Sequence, residues 1–158
     1  MAELEIVTIG HPVLETKAAE VTKITKRTVK LVNDMLDTMY AANGVGLAAP
    51  QVGVSERIIV LDVGDGPIVL INPVLTTAEG EEIDVEGCLS VPERWGYVKR
   101  ATQVVVTGLN EKGKGVRIQA DGLLARALQH EIDHLDGVLM VTKMIGEATV
   151  EVEGEEGE

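Results

Sequence analysis

Residues 130–134 read His-Glu-Ile-Asp-His, two imidazoles four positions apart with a carboxylate directly after the first. On a helix, which turns about 100° per residue, His134 falls ~40° around from His130 and one turn further along. Both rings then face one side and suit two nitrogen ligands on a single metal ion. Glu131, ~100° from His130, flanks them and can exchange a proton with water at that ion without taking a coordination position. A Lewis acid beside a proton carrier is what metal-assisted hydrolysis requires. The plainer alternative, a surface helix carrying two histidines by coincidence, has only three histidines in the whole chain to draw on.

The third ligand decides the class of enzyme. A metzincin-type protease would need histidine at position 140, where the chain has Met140. A thermolysin-type protease would need a downstream glutamate on another helix, and the late glutamates sit in no helical pattern. Cys88 remains, in Glu86-Gly87-Cys88-Leu89-Ser90-Val91-Pro92-Glu93. An isolated cysteine is most often a small buried hydrophobe. Here Gly87 lets another backbone come close, and the setting reads as a strand end opening into a Pro-bounded loop. One thiolate and two imidazoles make a borderline-soft site with one position open to water. His11, in the turn Gly10-His11-Pro12-Val13, is read as a non-ligand.

These side chains need a scaffold. A first helix is expected over 25–43: Thr25 or Thr28 can cap it, and Leu31, Val32, Met35, Leu36 and Met39 recur at helical spacing. Asn43-Gly44 can turn left-handed and end it. The stretch 44–51 is rich in Gly and Pro and is read as irregular. β-Branched runs predict strands at 57–63, 68–74, 98–108 and 116–120, with a further strand over 81–90 ending at Cys88. Turn residues at 64–67 and 112–115 join neighbouring strands. A second helix over 123–135 is closed by Asp136-Gly137. Connections too short for crossover helices imply antiparallel pairing. The expected class is therefore α+β: mostly antiparallel β-sheets packed around a central metal-binding helix, with an N-terminal helix. Residues 1–146 are expected to form one catalytic domain, and 147–158 an acidic, flexible tail.

Three segments, GVGLAAPQ (44–51), EGCLS (86–90) and QHEIDH (129–134), resemble the three signature motifs of peptide deformylases, in the same order and at similar separations. The opening Gly10-His11-Pro12-Val13-Leu14 is similar to that family's start, so the resemblance spans about residues 5–143. It implies one divalent metal, expected to be Fe(II) with Zn, Ni or Co possible as isolated, held by Cys88, His130 and His134. It implies removal of the formyl group from the N-terminal formylmethionine of new proteins, with release of formate. Glu131 matches the general base and then acid; the Gln51 amide and the Leu89 N–H match the donors that hold the developing oxyanion. Val45, Gly46 and Gly87 match backbone partners of an extended peptide. Leu89, Leu123 and Val45 match the methionine pocket, and Arg126 its rim, with the aliphatic stem on the pocket and the charge in water. Arg100 and Glu86 match a structural ion pair. The other readings are a metallopeptidase, and an inactive relative acting as a formyl-peptide-binding module. A merely structural metal site has no use for Glu131 or Gln51.

The whole chain agrees with that expectation. Its 158 residues, 45% hydrophobic and 25% charged, are those of one globular domain. Fourteen Lys+Arg stand against 26 Asp+Glu, net −12. Six of the acids lie in the last dozen residues, which leaves 14 against 20 before them. Phosphate-backbone binding needs clustered positive charge that this composition does not offer, so no DNA partner is expected, and any transient ribosome contact would have to use a small local patch. A single cysteine excludes an internal disulfide. No apolar run approaches the ~20 residues of a membrane span. The opening MAELEIVTIG has no signal-peptide or transit-peptide character, so a cytoplasmic location is expected.

Overall fold

The computed structural model describes residues 2–148, and its first long helix, α1 (Lys26–Ala41), begins and ends on local chemistry. The Thr25 hydroxyl accepts from the Thr28 N–H, while the Thr28 hydroxyl accepts from the Thr25 N–H, a reciprocal cap. At the other end Asn43 takes φ 58°, and the N–H groups of Asn43 and Gly44 donate to Tyr40 O and Met39 O. This closes the last turn with asparagine rather than glycine in the left-handed position.

Strands β1 (Gly46–Ala48), β2 (Ile58–Leu61), β3 (Ile68–Glu79), β4 (Glu82–Cys88), β5 (Val91–Arg100), β6 (Gln103–Leu109) and β7 (Gly115–Asp121) follow, then helix α2 (Gly122–Leu135) and strand β8 (Met144–Glu147). They form a five-stranded sheet, β1-β2-β3-β6-β7, and a three-stranded sheet, β4-β5-β8, antiparallel throughout. Strand β2 is apolar at every position because both of its faces are covered. Ile59 and Leu61 pack with Leu128, Ile132 and Leu135 of α2, and Ile58 and Val60 with Val32, Met35 and Met39 of α1. Each such fully buried side chain contributes about 1.5–3 kcal/mol of transfer free energy. The expected α+β architecture, antiparallel sheets around a central helix, is what forms. No described helix is long and apolar enough to cross a membrane.

Four local expectations need correction. The stretch 44–51 is not irregular: Gly46–Ala48 pairs with β2 and Ala49–Val52 makes a 3-10 turn. The run 98–108 is two strands in different sheets, parted at Ala101-Thr102. The side chain of Gln129 holds that break, its amide oxygen accepting from Ala101 N–H at 3.0 Å and its amide N–H donating to Ala101 O at 2.9 Å. Strand β5 begins at Val91, well before the β-branched run, because its first half pairs with β4 through its backbone while Pro92, Glu93, Arg94 and Trp95 stand exposed and carry no β-branched signal. Met144–Glu147 is a strand, paired with Gly96–Val98 and seated where Gly96 has no side chain to obstruct Met144. The acidic stretch 149–158 lies outside the described residues.

Candidate metal centre

Helix α2 delivers His130, Glu131 and His134, all buried, to the end of β4. Its C-terminus is fixed by Gly137 at φ 75°, whose N–H donates to His134 O. The Arg57 guanidinium donates to Leu135 O and to Asp136, placing positive charge where the helix dipole is negative. Cys88 ends β4 at the two-residue turn Leu89-Ser90. The N-terminal segment straps this region: Val7 N–H donates to Gln51 O and Ile9 N–H to Ser90 O, each at 2.8 Å.

One ligand atom from each of Cys88, His130 and His134 lies within 4.8 Å of the others, and Cys88 Sγ is 3.3 Å from His134 Nε2. A tetrahedral ion with bonds of about 2.0–2.3 Å sets its ligand atoms roughly 3.3–3.6 Å apart, so the donor set fits such an ion in size and chemistry. Glu131 Oε1 and His134 Nδ1 are buried without a partner. Polar atoms stranded in this way are costly unless the site uses them. A Cβ on Gly46 would come within 2.6 Å of Glu131 Oε2, so the carboxylate lies directly against the β1 backbone.

His130 is oriented by Glu86. The imidazole Nδ1–H donates to Glu86 Oε1 at 2.9 Å, which leaves Nε2 for the cluster. Glu86 also accepts from Arg100 Nε (2.8 Å), Arg100 Nη2 (2.9 Å) and Arg126 Nη1 (2.7 Å). Burial alone would push the Glu86 carboxyl up, but the bonds and charges of Arg100 and His130 hold it well below the ordinary carboxylate range. For His130, burial disfavours the charge, yet Cys88 and Glu86 outweigh it and raise the ring to about 10 in the metal-free chain, so an ion bound there would have to displace that proton. His134 is driven well below its ordinary value by burial and the nearby His130 and Arg100 charges, so it stays neutral as a ligand must. Burial raises Glu131 to about 7, His130 pulling it down and Glu86 pushing it up.

The amide of Gln51 is also fixed. Its Oε1 accepts from Ala48 N–H at 2.9 Å, which turns the NH2 toward Ser90 Oγ (3.1 Å) and Cys88 Sγ (3.6 Å). A cleft of about 420 Å³ opens beside the cluster, lined by Val45, Gly46, Gly87, Leu89, Leu123 and Trp95 among others. Val45, Leu123 and Trp95 are exposed at its mouth. Asp62 N–H donates to Val45 O, so by the alternation of an antiparallel ladder the N–H and C=O of Gly46 face the open edge of β1.

The predicted residues Cys88, His130, His134, Glu131, Gln51, Leu89, Val45, Gly46, Gly87 and Leu123 thus converge on one place. The arginine at position 126 is there too, but not as expected. Its guanidinium is buried and donates to Val98 O and Glu82 O as well as to Glu86, so the charge is not in water. A carboxylate and two strand carbonyls satisfy it better than the rim could. His11 is exposed and accepts from Val13 N–H, away from the cluster. Sequence reasoning missed the Glu86–His130 bond, the bond of Ser90 to Gln51, and Trp95, whose ring a Cβ on Gly87 would strike. Glycine at 87 was the one available signal for the last.

Comparison with known proteins agrees with this geometry. The family model for polypeptide deformylase matches residues 3–149. A peptide deformylase of Halothermothrix orenii is 58% identical over 147 residues, 92% of this chain and 96% of its own, and one of Desulfitobacterium hafniense is 57% identical over 143 residues, 90% and 95%. The crystal structure of peptide deformylase from Thermotoga maritima superposes with a TM-score of 0.88 at 42% identity, covering 90% of this chain and 97% of that one. One from Synechococcus elongatus, in complex with actinonin, gives 0.87 at 44% identity, covering 89% and 78%. With three motifs meeting in one cleft and a match over nearly its full length, the chain belongs to the polypeptide deformylase family.

Proposed function

We infer that this chain is a metal-dependent hydrolase that removes the formyl group from the N-terminal formylmethionine of newly made proteins and releases formate. The observation that carries the reading is the Cys88–His130–His134 cluster with Glu131 Oε1 buried and unpartnered beside it, at the foot of a largely apolar cleft. Cys88, His130 and His134 are the ligands in this reading, and the ion is Fe(II), with Zn, Ni or Co able to occupy the same donors as isolated. A divalent ion there supplies Lewis-acid polarisation of water and of the formyl oxygen.

The residues of the chain do the rest. Glu131, raised to about 7, takes a proton from water as the water oxygen adds to the formyl carbon, and returns it to the amine nitrogen as the C–N bond breaks. The Gln51 amide and the Leu89 N–H stabilise the developing oxyanion, a role typically worth ~3–4 kcal/mol per donor. The peptide lies beside β1, bonding the outward N–H and C=O of Gly46, with Val45 and Gly87 alongside. Its methionine enters the pocket of Val45, Leu89 and Leu123, while Arg126, which also lines the cleft, braces it through Glu86. Residues 1–146 act as one catalytic domain, working on nascent chains in the cytoplasm, with 147–158 as an acidic extension.

The test is formate release from formyl-Met-Ala-Ser by anaerobically purified, Fe(II)-loaded protein, with metal content measured in parallel. Release at about one metal per chain is expected. A loaded protein that binds the peptide and releases nothing would overturn the reading.

A further inference from the structure

Half of the basic residues of this acidic chain are gathered in two short stretches. Residues 21–30 hold Lys23, Lys26, Arg27 and Lys30 with no acid, and residues 111–117 hold Lys112, Lys114 and Arg117 with one acid, Glu111. These stretches carry net +6, while the remaining residues, seven bases and 25 acids, carry −18. The fold brings the two together. The β6–β7 hairpin tip at Gly113 packs toward Ile24, within 3.8 Å of where a Cβ would stand. Between tip and helix runs a groove of about 570 Å³, with Lys23, Lys26, Lys112 and one acid, Glu111, on its walls and Val21, Val29 and Leu109 among its apolar lining.

Local structure does not account for these lysines. Arg27 pairs with Glu56 and Lys30 with Asp34, but no ion pair to a described residue engages Lys23, Lys26, Lys112 or Lys114. Lys26 and Arg27 stand in the first turn of α1, where the helix dipole disfavours cations. Their mutual repulsion costs free energy that a polyanion laid along the groove would recover. No residue that lines this groove lines the catalytic cleft, so both can be occupied together.

We propose that the groove between the start of α1 and the β6–β7 hairpin is a binding surface for the phosphodiester backbone of RNA, engaged by Lys23, Lys26 and Lys112. The inference rests on the co-translational reading above, since a nascent chain is met at an RNA-rich particle. The concave shape suits a phosphate strand better than a flat lipid surface.

The test titrates the full-length protein with a fluorescein-labelled single-stranded RNA of about 20 nucleotides at several salt concentrations, with deformylation of free formyl-Met-Ala-Ser measured beside it. Contact with about three phosphates predicts a slope of log affinity on log salt near −2. The variant Lys23→Glu/Lys26→Glu/Lys112→Glu is expected to lose at least tenfold in RNA affinity and most of that slope, with peptide deformylation unchanged. Failure of the unaltered protein to bind RNA at low salt, or equal binding by the variant, would overturn the proposal. So would RNA binding that appears only when Glu151, Glu153, Glu155 and Glu156 are changed to Gln, because the groove would then belong to the chain's own acidic segment. Failure of deformylation in the unaltered protein, with RNA binding intact, would count against the catalytic reading and not against this surface.

Discussion

Glu131 must be ionised to accept a proton, yet its site resists ionisation. Burial raises its pKa from 4.5 to about 7 in the folded chain. The folded state therefore holds this proton more tightly than the unfolded state, and stability falls as pH rises from near 4.5 to near 7. Glu131→Gln removes that penalty. The metal-free variant should melt at a higher temperature than the parent, with a larger gain at pH 8 than at pH 5, by calorimetry. Its turnover should fall by about 10²–10⁴-fold with metal content retained; undiminished turnover would remove Glu131 from the mechanism. Gly46→Ala should show a related defect from the other side. A Cβ 2.6 Å from Glu131 Oε2 displaces the carboxylate, and misplacement on the ångström scale costs about 10²-fold in kcat. Metal content, measured by mass spectrometry, should not change.

At the level of elements, two side chains of α2 stitch the helix to the strands. Arg126 reaches Glu86, Val98 O and Glu82 O, and Gln129 brackets Ala101 where the chain passes from one sheet to the other. Arg126→Met should cost roughly 3–5 kcal/mol in denaturant unfolding, because Val98 O and Glu82 O lose the guanidinium and the buried Glu86 loses one of its cationic donors. Gln129→Ala should cost less, roughly 1–3 kcal/mol, for two unmatched backbone groups. Neither contact was legible in the sequence. The helical periodicity of His130 and His134, the apolar run of β2 and the turn at Asp136-Gly137 are local signals, and each was read correctly. Arg126 was placed in water because a lone arginine usually belongs there; its true partners lie 28 to 44 residues away, a distance no periodicity spans. β1 was missed because three residues among glycines carry no alternation, and only their pairing to β2 makes them a strand. β8 was missed because Gly146 interrupts its short apolar pattern, and only the register against β5 defines it.

For the molecule as a whole, the buried Glu86 centre ties stability to pH on the acid side. Its carboxyl is held well below the ordinary value of 4.5 by Arg100 and His130, against the opposing effect of burial. A depressed carboxylate contributes stability that is fully present above the unfolded value and is lost as pH falls below it toward the folded one. Urea midpoints of the metal-free protein should therefore decline steeply below about pH 4.5, and Glu86→Gln should flatten that acid limb while lowering stability at neutral pH. Overall charge proved a poor guide to local charge, since the sum of −12 conceals a basic groove that only folding assembles. Strand β1 carries one further consequence. Its outer edge is three residues long, with Gly46 presenting the outward hydrogen-bonding groups. Open sheet edges invite self-association, and proteins blunt them by keeping them short. An edge of this length offers too little ladder to recruit a strand from a second copy, so the opening that the proposed peptide would use does not double as a route to self-association.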